Sequence, residues 1–338
     1  MGGFTQTAGA VDGRRSVFVV VALALAVGGL LAILVPPAMA TAAGGCEISS
    51  KKGGENPKPF RGICEYLDGR EGVVQVALFN NNSGRTFRLS TGDDRQLTAS
   101  IVKVDILAKW LRDYDEQGAK FPEDIPYSIQ YLMQRMIQNS DNAAATSLFH
   151  FGGGCDALTR FNRLIPMPAT KVGCESPTYY GWGNTETTAA DQVRLMKVFA
   201  YGAPKGEGVL SRDATIYGRR LLQSVEPDQR FGITCGPWGS SCSKPDYAKP
   251  DPDVTVGLKN GWKTLPECTQ PIPQCPWQVN STGWVAGTGR DYVLSVLTTR
   301  DPVGSGDTYG FDYGIDTIQN VSQRVWDNLK PRAGRGRR

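Results

Sequence analysis

Residues 98–111 read Thr98-Ala99-Ser100-Ile101-Val102-Lys103-Val104-Asp105-Ile106-Leu107-Ala108-Lys109-Trp110-Leu111. Ile101, Val102, Val104, Ile106, Leu107, Trp110 and Leu111 cover most faces of a helix, the pattern of one buried at the centre of a domain. Upstream the pattern is that of strands. Val73 to Phe79 is β-branched and apolar, Asn80-Asn81-Asn82-Ser83-Gly84 is turn chemistry, and Thr86-Phe87-Arg88-Leu89 alternates, which together predict a β-hairpin. Thr98 is therefore the point where a sheet hands over to helices.

Downstream, helical patterns cover Ile125 to Ile137, Ala143 to Phe149 and Thr188 to Tyr201, the last opened by Thr188-Ala189-Ala190-Asp191 as a capping box. Three strand-like runs follow a Pro- and Cys-rich loop: Val254 to Leu258, Trp277 to Val285 and Tyr292 to Thr299. A closing helix spans Gly314 to Leu329. Two strands before a helical block and three after it predict an α/β (α+β) fold, a five-stranded antiparallel sheet with flanking helices whose ends enclose an inserted all-α region. The sheet part is expected at 72–97 and 253–329, the helical part at 98–234, and a loop at 235–252. Residues 41–71 read as an irregular, Cys-stapled segment, and 330–338 as a basic tail.

Lys and Arg total 37 and Asp and Glu 33, and Lys330, Arg332, Arg335, Arg337 and Arg338 alone exceed that surplus. The body is near neutral and offers no basic face suited to nucleic acid. The tail reads as a solvated end, with contact to an anionic cell envelope as the alternative. Val17 to Val35 is an uninterrupted apolar run preceded by Arg14-Arg15 and followed by Ala38-Met39-Ala40. Residues 1–40 thus read as an export signal, either cleaved after Ala40 or kept as a transmembrane signal anchor. Membrane attachment would arise only through this segment, and the protein is expected outside the cytoplasm, extracellular or in the cell envelope. Cys46, Cys64, Cys155, Cys174, Cys235, Cys242, Cys268 and Cys275 all follow it, an even number that fits four disulfides, with sequential pairing the simplest arrangement.

The chain has one histidine, His150, which excludes a multi-imidazole metal centre and directs hydrolytic chemistry toward another base. A serine can be activated by a lysine held neutral through burial and nearby positive charge. Ser-x-x-Lys occurs at Ser49 to Lys52, Ser100 to Lys103 and Ser241 to Lys244. Only the second opens an apolar helix, where i,i+3 spacing puts both side chains on one face. Ser140-Asp141-Asn142 lies at a helix junction, and Lys259-Asn260-Gly261 at the end of the Val254–Leu258 strand.

These three elements, in this order, resemble the Ser-x-x-Lys, Ser-Asp-Asn and Lys-Thr-Gly series of the penicillin-recognising serine hydrolases, and especially the class A β-lactamase-like proteins of actinobacteria. The resemblance covers roughly Val73 to Leu329. It implies Ser100 as nucleophile, Lys103 as its proton acceptor, Ser140 as proton relay to the leaving nitrogen, and Asn142 as a holder of the substrate amide. It further implies that Lys259 attracts the substrate carboxylate and that Gly261 leaves room for a ligand along the strand. The backbone N–H groups of Ser100 and Trp262 would form the oxyanion hole.

Two positions depart from the family pattern. Asn260 stands where Thr or Ser is usual in the carboxylate-binding motif. The deacylating Glu-x-x-Leu-Asn loop motif is missing ahead of Thr185-Glu186-Thr187-Thr188, which leaves Glu175 as candidate deacylation base and Glu186 as a first-turn helix charge. The resemblance implies no metal and no cofactor. It leaves three readings: an exported β-lactamase acting on a small β-lactam, a D-alanyl-D-alanine peptidase or penicillin-binding protein acting on a peptidoglycan stem peptide, and a non-catalytic envelope binding protein. A monomer is expected in each case.

Overall fold

The strands, in chain order, are β1 (Glu47–Ile48), β2 (Val73–Asn80), β3 (Arg85–Ser90), β4 (Gln96–Leu97), β5 (Glu186–Thr187), β6 (Val254–Thr264), β7 (Trp277–Gly287) and β8 (Arg290–Asp301). The helices are α1 (Ile63–Leu67), α2 (Lys103–Glu116), α3 (Tyr127–Gln138), α4 (Asn142–Phe151), α5 (Gly154–Asn162), α6 (Ala189–Tyr201), α7 (Arg212–Gln223) and α8 (Gly310–Asn328). The computed structural model describes residues 45–49, 56–92, 95–174, 181–202, 208–238, 249–269, 274–302 and 310–331. The apolar run at 17–35, Glu175, Cys242 and tail residues 332–338 lie outside them, as do Lys52, Ser241 and Lys244 of the two loop Ser-x-x-Lys matches. No helix among the described residues is long and apolar enough to cross a membrane.

The hairpin read from residues 73–89 is β2–β3, paired from Gln75 opposite Ser90 to Asn80 opposite Arg85. Val73 to Leu78 are all buried, because β2 lies inside the sheet with both faces covered; β3 alternates, with Phe87 and Leu89 inward and Thr86 and Arg88 outward. The main sheet is antiparallel in the order β1-β3-β2-β8-β7-β6. It has six strands, one more than expected. The additional strand is β1, whose Glu47 and Ile48 pair with Ser90 and Leu89. Two residues carry no readable period, and β1 is held in place by the Cys46–Cys64 disulfide. The described residues between β1 and β2 also form α1 and a 3₁₀ turn at Lys58–Phe60.

One apolar core lies between the sheet and the helical block, joining Ala77, Trp284, Val293 and Leu297 to Leu107, Leu111, Met136 and Phe199. A second covers the other face, where Ile315, Ile318, Val321 and Val325 of α8 meet Leu78, Leu294 and Val296. That i, i+3, i+6, i+10 spacing gives α8 one buried stripe. The sheet is thus the middle of three layers, and its β6 edge faces the start of α2.

α5 and α7 were not anticipated. Both are short amphipathic helices next to Gly-rich or polar joints, where helix breakers mask the period; Ser211 caps α7 by accepting the Ala214 N–H at 3.2 Å. Thr188 caps α6 by accepting the Asp191 N–H at 3.3 Å, but the box is half formed. The Asp191 carboxylate turns instead to the Ala169 N–H at 2.8 Å and the Thr170 hydroxyl at 2.9 Å. Glu186 is not in the helix's first turn: it lies in β5 opposite Leu97 and pairs with Arg95 at 3.5 Å. Cys155–Cys174 and Cys268–Cys275 pair sequentially like Cys46–Cys64, and Cys235 is also disulfide-bonded.

Candidate active site

Ser100 sits in a 3₁₀ turn, Ala99–Val102, that runs directly into α2. The Ser-x-x-Lys pair therefore straddles the join of a 3₁₀ turn and an α-helix. Three residues per turn stack positions i and i+3 more closely than an α-helix would, and Lys103 Nζ lies 2.9 Å from Ser100 Oγ. The turn is entered through strained backbone. Ala99 has φ of 46° and Ser140 has φ of 57°, conformations that cost an L-residue on the order of 1–3 kcal/mol and persist only where surrounding structure imposes them. Asn280 of β7 helps impose the first, donating to the carbonyls of Leu97 at 2.8 Å and Thr98 at 3.0 Å. Thr98 N–H in turn donates to Thr185 O at 2.7 Å.

Lys103 is fully buried, and its partners are neutral oxygens. Nζ lies 2.6 Å from the Ser140 carbonyl and 2.7 Å from Asn142 Oδ1. Both can only accept, so they use the two N–H bonds of a neutral amine, and the remaining lone pair is free to face the Ser100 hydroxyl. Ser140 Oγ is also near, at 3.2 Å. Burial, then the charge of Lys259, lower the Lys103 ammonium to about 6, with Asp141 opposing. Asp141 does not pair with it. That carboxylate caps α4 through the Ala144 N–H at 2.9 Å and meets Arg135 at 2.8 Å. Among the described residues no carboxylate forms an ion pair with Lys103. Asp105, two residues away, faces the core and accepts from Asn162 at 2.8 Å, and burial raises its carboxyl to about 7.

Lys259 and Gly261 lie mid-strand in β6, which continues to Thr264 and does not end at Leu258 as expected; pairing with β7 runs unbroken to Trp277. Lys259 Nζ donates to Ser140 Oγ at 2.9 Å and to Asn260 O at 2.9 Å. Burial lowers it to about 7, with Asp228 opposing. Ser140 Oγ thus bridges the two lysines. A Cβ on Gly261 would lie 2.6 Å from Ser100 N and 2.7 Å from Ile101 N, so only glycine lets β6 approach the serine turn this closely.

Asn260 is 1% exposed, and its Nδ2 donates to Gln229 O at 2.8 Å and Phe231 O at 3.2 Å. Its nitrogen is committed to the 229–231 loop and reaches a ligand only if those bonds break. The Trp262 ring joins Phe231 and Phe311, with centroids 5.5 and 5.3 Å away. Ser100, Lys103, Ser140, Asn142, Lys259 and Gly261 therefore converge, Asn260 braces the wall, and Glu175 lies outside the described residues.

Sequence reasoning missed two contributors. The Trp182 ring lies 5.1 Å from Lys103 Nζ and donates its Nε1 to Thr146 Oγ1 at 3.1 Å. Asn280 is the other. Its one available signal was a polar side chain recurring with Gln278 and Thr282 along an apolar strand, all three fully or almost fully buried.

The family profile described as the β-lactamase enzyme family matches residues 117–329. The chain belongs to that family. The matched stretch contains Ser140, Asn142 and Lys259; Ser100 and Lys103 precede it and join the site through the fold. A β-lactamase from Burkholderia vietnamiensis is similar at 18% identity and a TM-score of 0.59, covering 82% of this chain and 98% of that one. A class A β-lactamase from Mycobacterium abscessus is similar at 18% identity and 0.57, covering 80% and 98%. PBP-A is similar at 19% and 0.58, covering 80% and 94%. At these identities the likeness is one of fold. Among curated protein sequences, none matches the chain. Its fold is that of the class A β-lactamases.

Proposed function

We propose that this hydrolase opens a β-lactam amide through an acyl-enzyme on Ser100, with Lys103 as general base. The observation that carries the reading is Lys103 Nζ at 2.9 Å from Ser100 Oγ, buried and lowered to about 6. A lysine with that value is mostly neutral near pH 7 and can take the serine proton as Oγ attacks the carbonyl. The N–H groups of Ser100 and Trp262 then hold the oxyanion. Ser140 passes its proton to the leaving nitrogen and recovers one from Lys103, along the contact at 3.2 Å. Lys259, in its protonated form, attracts the substrate carboxylate; the arriving anion raises its proton affinity and keeps it charged.

Deacylation needs a base for water. That no carboxylate among the described residues pairs with Lys103 supports a slow second step, in which Lys103 serves again or Glu175 assists. The same observation favours a second reading, a D-alanyl-D-alanine peptidase or penicillin-binding protein, whose acyl-enzyme would persist. Export past the cytoplasmic membrane through residues 1–40 accompanies both readings.

Intact-mass measurement over time after adding a penicillin tests the proposal. A transient adduct, absent in Ser100→Ala, is expected for a β-lactamase, and a long-lived one for a penicillin-binding protein. No adduct under any condition would remove both and leave a binding protein on the same fold.

A further inference from the structure

A groove of about 490 Å³, sharing no residue with the active site, is lined by Lys58 and Arg61 near α1, Arg85 at the tip of the β2–β3 hairpin, and Lys330 after α8. No Asp or Glu lines it. Among the described residues none of the four cations forms an ion pair with a carboxylate. Lys58 Nζ donates to Lys330 O at 3.2 Å, which ties the segment before α1 to the one after α8, and Arg85 lies over the Phe87 ring, 5.1 Å from its centroid. The groove beside α2 and α5, by contrast, balances its charge, with Lys109, Arg112 and Arg160 together with Asp113 and Glu116. In a chain with 37 basic and 33 acidic residues, four uncompensated cations around one concavity form a local positive field that attracts a polyanion.

The path of the chain says which polyanion. The Cys46–Cys64 disulfide holds the two Cα atoms 5.5 Å apart, so the start of the described chain is tied three residues beyond Arg61. In sequence the apolar run ends at Val35, ten residues before Gly45. Ten residues reach at most about 35 Å whatever their conformation. At the other end Pro331 lines the groove, and Arg332, Arg335, Arg337 and Arg338 follow it in sequence. In sequence, then, a segment apolar enough to enter a bilayer precedes the described chain by ten residues, and a basic tail follows Pro331 of the groove. An apolar segment combined with a polybasic patch is the two-signal arrangement that holds proteins on anionic membranes.

We propose that this groove is a docking surface for the phosphodiester headgroups of an anionic lipid bilayer, holding the hydrolase against the membrane that residues 17–35 enter. The surface acts independently of the chemistry at Ser100.

The test uses the full chain and co-sedimentation with vesicles of phosphatidylcholine alone or mixed with phosphatidylglycerol, at low and high salt. The apolar run supports binding to both, so the readout is the ratio. At low salt the parent is expected to favour the anionic vesicles by about tenfold or more, a preference that salt weakens. A Lys58→Glu/Arg61→Glu/Arg85→Glu variant is expected to lose that preference while keeping its binding to neutral vesicles and its rate of Ser100 acylation. The Gln counterpart, which adds no acid, is expected to fall between the two and serves if the triple Glu variant misfolds. Equal partitioning of the parent into both vesicles overturns the proposal. So does a preference unchanged in the groove variants but abolished by changing Arg332, Arg335, Arg337 and Arg338 to Gln, which would assign it to the tail alone. Displacement from anionic vesicles by a soluble glycerol-phosphate polymer that binds more tightly than the lipid would also overturn it, making an envelope polymer the occupant.

Discussion

The two walls of the active site each present a buried lysine, and the two are not equivalent. Lys103 rises from the start of α2 into a shell of neutral oxygens and is lowered to about 6. Lys259 stands on β6, bonds to Ser140 and to its own neighbour's carbonyl, and is lowered only to about 7, with Asp228 opposing. Burial is the largest cause for both. Each also feels an opposing carboxylate, Asp141 for Lys103 and Asp228 for Lys259; what separates them is that Lys103 feels in addition the cation across the cleft. One wall is thereby suited to accept a proton and the other to hold an anion, with Ser140 Oγ between them.

Replacing each lysine by arginine tests that division most severely. Arginine keeps the charge and cannot act as a base near pH 7. Lys103→Arg is expected to lose about 10³-fold in acylation rate, within the range for a general base, and Lys259→Arg about tenfold, measured as adduct formation by rapid-quench mass spectrometry. Equal losses at the two positions would sink the assignment of roles. Gly261→Ala attacks the spacing between the walls. The added Cβ must push β6 from the serine turn, and a misplacement near 1 Å costs on the order of 10²-fold, so acylation should fall about that far while circular dichroism stays native.

The pH profile sharpens the comparison further. Acylation should rise as pH passes about 6 and Lys103 loses its proton, and decline above about 7 as Lys259 loses its charge, giving a narrow bell in kcat/KM. The two limbs belong to the coupled pair and not to either lysine alone. Stability should respond in a defined direction. The folded-state value of Lys103 lies below its unfolded value of 10.5, so the unfolded chain binds more protons across that interval and stability rises with pH through it. The penalty is complete below about 6 and gone above 10.5. Lys103→Met should therefore raise Tm, most at the acid end of the range and least near pH 10, in melts taken across that span.

The smallest expected effect concerns Asn260. Because its amide is committed to the carbonyls of Gln229 and Phe231, Asn260→Thr should change KM for a carboxylate-bearing β-lactam only a few-fold, while lowering Tm through two lost hydrogen bonds worth about 1 kcal/mol each.

The part of the site that could be read along the chain is the part set by short-range geometry. Ser100 and Lys103 are one helical turn apart, and Ser140-Asp141-Asn142 occupies one helix junction. Spacing alone puts those side chains on common faces. The central sheet was legible for the same reason, since β2, β3, β7 and β8 each carry a run of several strand-forming residues. What escaped had no local signature. β1 is two residues long and exists because a disulfide and the edge of β3 hold it there. The left-handed backbone at Ala99 and Ser140 runs against local preference and is imposed by neighbours distant in sequence, Asn280 among them. Lys259-Asn260-Gly261 looked like a strand end because Asn and Gly disfavour strands; cross-strand pairing with β7 overrides that preference.

By itself the sequence determined the main strands and helices of the fold, the single histidine and the three motifs that meet at the candidate site, because each depends on composition or on residues a few positions apart. The tertiary structure decided which lysine can be neutral, which amide is spent on bracing a loop, and that four cations from opposite ends of the chain share one groove. Those outcomes rest on burial and on charges brought close by folding, and both are properties of the packed molecule.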